Sequence, residues 1–105
     1  MGQPVVHWEI GAKDGQKLQG FYSELFGWKS NFEEAMNYHM MESGGEGAIA
    51  GGITTVQDTP TYLTFYVQVD DIQTYLNKAE GLGAKAIMPP MEVPGAGISV
   101  ALFSD

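Results

Sequence analysis

The 105 residues, 44% of them hydrophobic, supply one domain with one core and are too apolar for a disordered chain. Five lysines, no arginine and thirteen acidic residues give a net charge of −8. That balance excludes a phosphate-gripping nucleic-acid surface and favours a neutral or cationic small molecule over an anionic one. Without cysteine there is neither a disulfide frame nor a thiolate site. No apolar run approaches the ~20 residues of a membrane span and the N-terminus does not read as a leader, so a cytoplasmic protein without membrane contact is expected.

Taken in chain order, residues 4–10 (PVVHWEI) read as a strand entered by proline. Asp14 offers a helix N-cap, and Leu18, Phe21, Tyr22, Leu25 and Phe26 recur at helical spacing up to a C-cap at Gly27. Short strands are predicted over 28–32, 37–42 and 48–54, and residues 56–61 (VQDTPT) read as a linker. The plan then restarts, with a strand over 62–69 and a capping box from Asp70 to Gln73. Ile72, Tyr75, Leu76 and Ala79 form a helical face that stops at the glycines 81 and 83. Strands over 85–88 and 98–103 follow, joined through a loop over 89–97.

A shift of 56 positions superposes Pro4 on Pro60, Asp14 on Asp70, Glu24 on Glu80, Gly27 on Gly83 and Lys29 on Lys85. These identities mark strand entry, helix start and helix stop, so the chain reads as one α+β domain, 1–105. It comprises module one at 1–56 and module two at 60–105.

Alternation assigns the faces. Val6, Trp8 and Ile10 oppose Val5, His7 and Glu9 in the first strand. Leu63, Phe65, Val67 and Val69 oppose Tyr62, Thr64, Tyr66 and Gln68 in the fifth. The apolar sets should lie under the two helices. The opposite faces, aromatic and polar with a His–Glu pair, suit the wall of a ligand cup, from which Trp8 is excluded.

Three segments, VVHWEIGAKDGQKLQGFYSELFGWK with its FY-x-x-L-FGW core, YVQVDDIQTYLNKAEGLGAK and MPPMEVPGAGISVALFSD, resemble the vicinal oxygen chelate superfamily of glyoxalases, extradiol dioxygenases and bleomycin-resistance proteins. The resemblance implies two βαβββ modules curled around a central cavity, with the second module lacking its last strand. It also implies a divalent metal in the family's enzymes, with one ligand from the first strand of each module. His7 stands at the first such position, but Thr64 stands at its counterpart. Residues 48–54 offer no good donor, and the chain ends at Phe103-Ser104-Asp105, where the family's turn before a final glutamate ligand would begin.

The reading that results is a glyoxalase-like or bleomycin-resistance-like binding protein with a metal-free or metal-poor cavity and no cofactor. It would hold an aromatic or cationic molecule, with His7, Glu9, Tyr38, Met40, Tyr62, Thr64 and Tyr66 as candidate ligand-binding residues. One alternative is a metal-dependent lyase, isomerase or dioxygenase of the lactoylglutathione-lyase type, with His7 the only well-placed metal ligand. Another is an inactive fragment completed by a partner chain. An open strand edge in module two invites pairing, so a homodimer is expected, with exchange of elements as one form it can take. Light scattering at micromolar concentration should return the mass of two chains; the mass of one chain would contradict it.

Overall fold

The structure, a computed structural model, describes residues 2–93 and 97–105. The expected α+β class and the βαβββ plan of the first module are present. β1 (Val5–Ala12), α1 (Gly15–Phe26), β2 (Lys29–Glu33), β3 (Tyr38–Glu42) and β4 (Gly51–Thr55) follow in order. They are succeeded by β5 (Tyr62–Val67), α2 (Ile72–Gly81), β6 (Lys85–Val93) and β7 (Ile98–Ser104). No described helix is long and apolar enough to cross a membrane.

Helix α1 is bounded as its sequence predicts. Asp14 accepts a hydrogen bond from the Lys17 amide, and Gly27, at φ 72°, returns its amide to the Ser23 carbonyl. The left-handed backbone there is one that glycine adopts without penalty. Helix α2 starts one residue later than expected. Asp71, not Asp70, accepts from the Thr74 amide, and the Gln73 side chain bonds Asn77 instead of closing a capping box.

The chain forms two compact units, 1–68 and 69–105. In the first, five strands run in the order β2-β3-β4-β1-β5, with β1 parallel to β4 and antiparallel to β5. Strand β5 thus joins the sheet of the first module. It begins 57 positions after β1 (Val5 to Tyr62), as α2 does after α1 (Gly15 to Ile72). The 56-position shift returns only at the glycines and at β6. Under the 57-position correspondence Thr64 matches His7 and Tyr66 matches Glu9. The observed pairs are His7 with Tyr66 and Glu9 with Thr64, centred on Trp8 with Phe65. The two first strands are therefore related by a local twofold axis through that central pair.

The sheet's helix side carries the core of this unit. Helix α1 packs on β4, β3, β1 and β2, and Met41 (1% exposed) and Ile53 (0%) lie beneath it. Trp8 belongs to this side, as alternation requires. Its ring meets Trp28 at 5.4 Å, its Nε1 donates to the Ile49 carbonyl at 2.8 Å, and Tyr22 stacks on Trp28. Within this unit α1 lies over β3 and β4, and Leu63 (74%) and Phe65 (62%), on the edge strand β5, are exposed. Phe21, Leu25 and Phe26 on α1 are exposed as well, so only part of its apolar stripe faces the sheet.

In the second unit α2 packs on the antiparallel pair β6–β7 through the buried Leu76. Strand β6 continues through Pro89 and Pro90 to Val93, where a loop is expected from the sequence. The prolines lack amide donors, and the pairing absorbs them by register shifts on either side of Met88. Residues 94–96 of the expected loop lie outside the described residues.

Two glycines of opposite consequence test the packing. A Cβ on Gly51 would fall 2.0 Å from the Trp8 ring, whereas one on Gly20, in the middle of α1, meets nothing within 4 Å. In urea titrations Gly51→Ala should lose roughly 1–3 kcal/mol to overpacking, and Gly20→Ala should gain roughly 0.5–1 kcal/mol from helix propensity.

Candidate functional site

The sheet face turned away from α1 is built around Glu9. Its neighbours in register are Gly52 on β4 and Thr64 on β5, and beyond Gly52 stands Met40 on β3. Two residues along β1 on the same face is Gly11, which pairs with Tyr62. With no side chain at Gly52 or Gly11, tyrosine rings lie flat on the backbone at both places. A Cβ on Gly52 would stand 2.0 Å from the Tyr38 ring, and one on Gly11 would stand 2.2 Å from the Tyr62 ring. Both rings therefore bring their hydroxyls to the same carboxylate.

Tyr38 donates to Glu9 Oε1 at 3.0 Å and Tyr62 donates to Oε2 at 2.5 Å. His7 Nε2 lies 2.8 Å from the Tyr38 hydroxyl, and the two rings stack with centroids 6.2 Å apart. Tyr66 tilts against the other side of His7 at 5.7 Å. These five residues come from β1, β3 and β5, and all but Tyr62 are half-buried or buried.

Burial and the carboxylate act together on the phenols. Tyr38 and Tyr62 are held well above the ordinary phenol range, first by desolvation and then by the charge and hydrogen bonding of Glu9. Tyr66 is pushed up to about 12, by burial and then by Glu9. His7 is shifted down from its ordinary 6.5, because burial disfavours the imidazolium more than Glu9 favours it.

Of the seven candidate residues, the structure brings together His7, Glu9, Tyr38, Tyr62 and Tyr66. Met40 and Thr64 share the face without joining the hydrogen-bonded cluster. His39 is on the other side of β3, its ring tilted against Phe32 at 4.7 Å. Gly11 and Gly52 were not among the candidates, although a glycine inside a strand is a recognised sign of close approach. Two shallow hollows of about 290 Å³ lie elsewhere, one beside Asp14 and Phe21 and one beside Leu82 and Phe103.

The donors of this face are engaged with one another. No three His, Cys, Asp or Glu residues stand close enough to share an ion among the described residues. His7 Nε2 is already turned to Tyr38, both Glu9 oxygens accept phenol protons, and the hydroxyl of Thr64 is a poor substitute for an imidazole.

The family model described as Glyoxalase/Bleomycin resistance protein/Dioxygenase superfamily matches residues 5–105. Among solved structures, the chain is similar to the hypothetical protein BH1468 from Bacillus halodurans C-125, with TM-score 0.65 and 16% identity over 98% of this chain and 85% of that one. It is also similar to a methylmalonyl-CoA epimerase, with TM-score 0.60 and 14% identity over 94% of this chain and 83% of that one. At these identities the two structures support the fold alone. No curated protein sequence matches the chain. The match over nearly all of its length places the chain in that superfamily.

Because the folded-state pKa of His7 is depressed, its neutral form stabilises the fold fully above about pH 6.5, and that contribution is lost as pH falls through the folded value. Denaturant unfolding at pH 7.5 and 5.5 should therefore show a larger acid loss of stability in the wild type than in His7→Gln. Equal losses would contradict the burial of a neutral imidazole.

Proposed function

We propose that this member of the glyoxalase/bleomycin resistance protein/dioxygenase superfamily binds a small aromatic cation on the Glu9 face, without a metal ion. The observation that carries the reading is the Glu9 carboxylate itself. It is half-buried and held by the hydroxyls of Tyr38 and Tyr62, and neither partner is a cation. Its negative charge is thus oriented by hydrogen bonds but not neutralised.

The surroundings favour a positively charged, flat ligand. The rings of Tyr38, Tyr62 and Tyr66 frame the carboxylate, and aromatic faces attract cations by ~0.5–2 kcal/mol. A net charge of −8 speeds the approach of a cation and opposes that of an anion. The lack of arginine removes the residue best suited to grip a carboxylate or phosphate.

Calorimetric titration with benzamidinium and benzyltrimethylammonium, set against the anionic S-benzylglutathione, tests the assignment. Binding by at least one cation should weaken roughly 10–100-fold in Glu9→Gln, the loss expected for a charge-assisted contact. Binding of the glutathione conjugate alone, or cation affinity indifferent to Glu9→Gln, would sink it.

A further inference from the structure

The protons of the site can be assigned by counting, and their positions restrict the ligand further than its charge does. A carboxylate only accepts hydrogen bonds, and a phenol has one proton to give. Tyr62 gives its proton to Glu9 Oε2. Tyr38 stands between two partners, 3.0 Å from Glu9 Oε1 and 2.8 Å from His7 Nε2. Since Glu9 has no proton to offer, Tyr38 donates to it. The remaining bond then requires Nε2–H of His7 to donate to the Tyr38 oxygen.

His7 is thereby fixed with its proton on Nε2. The same burial that lowers its pKa keeps the ring neutral at pH 7.5, which leaves a lone pair on Nδ1. Nδ1 has no hydrogen-bond partner among the described residues, where His7 bonds only through Nε2. No buried side-chain nitrogen or oxygen in those residues lacks a partner, so Nδ1 is open to solvent. The Tyr66 hydroxyl makes no hydrogen bond of this kind to Glu9, whose charge nonetheless helps burial to raise the phenol pKa.

Apart from the Tyr66 and Thr64 hydroxyls, which can donate or accept, the hydrogen-bonding groups left for a ligand are acceptors: His7 Nδ1, the unused lone pairs of Glu9 and the oxygens of Tyr38 and Tyr62. We propose that this face selects its ligand by N–H donors, taking a protonated amine or amidine in preference to an equally charged cation that has none. The inference rests on the reading of the face as a cation site and adds the chemical class. A quaternary ammonium ion would cover the acceptors and leave them unpaired, whereas an amidinium supplies a proton to each of at least two.

Two measurements decide it. In titrations of the full chain at pH 7.5, benzamidinium should bind at least about tenfold more tightly than benzyltrimethylammonium. Tyr38→Phe, which removes the oxygen that fixes the His7 proton, should shrink that ratio. Equal affinity for the two cations would overturn the donor requirement while leaving the cation site standing. Binding of neither would overturn both. Independently of any ligand, long-range ¹H–¹⁵N spectra of His7, identified by loss of its signals in His7→Gln, should show the Nε2–H tautomer at pH 7.5. An Nδ1–H tautomer or an imidazolium would refute the proton assignment.

Discussion

Strand β1 is hydrogen-bonded along both edges, parallel to β4 and antiparallel to β5, and the arrangement of the candidate site follows from that. A strand with partners on both sides fixes which residues stand abreast. Glu9 acquires Gly52 on one side and Thr64 on the other, with Gly11 two residues along the same face. Because two of these three neighbours have no side chain, rings from β3 and β5 can fold down onto the sheet and converge. The opposite side of β4 uses the same allowance. Gly51 leaves room for Trp8 as Gly52 does for Tyr38, so adjacent glycines admit one aromatic ring to each face.

The cluster that results holds a charge by hydrogen bonds alone. A carboxylate in a half-buried setting needs either a cation or several donors. Here the donors are phenols, whose own ionisation the carboxylate suppresses, so the arrangement keeps its protons in place over a wide pH range. A metal would require the oxygens that the phenols now occupy. The substitution of Thr64 at the place matching His7 removes the second imidazole such an ion would need.

Much of this was legible in the sequence because it rests on local rules. Asp14 and Gly27 bound α1 through capping chemistry that needs no tertiary context. Strict alternation put Tyr62, Thr64 and Tyr66 on one face and sent Trp8 to the other. The errors arose where non-local terms decide. The choice between Asp70 and Asp71 depends on which backbone is extended as the helix starts. Pro89 and Pro90 read as a loop, yet β7 tolerates them by shifting register. Leu63 and Phe65 alternate as buried residues do, but their cover within the unit depends on where α1 lies across the sheet. The roles of Gly11 and Gly52 were hidden for a related reason: a missing side chain carries meaning only once the ring that fills its place is known.

The local twofold axis through Trp8 and Phe65 has a further consequence. Its backbone offers two equivalent seats, one over residues 7 and 9 and one over 64 and 66, but the side chains break the equivalence: imidazole and carboxylate in the first, hydroxyl and phenol in the second. A molecule lying across the axis therefore meets a basic, charged end and a neutral end. The backbone frame is indifferent to direction and the side chains at these four positions give it polarity, so that an asymmetric guest has one preferred way round.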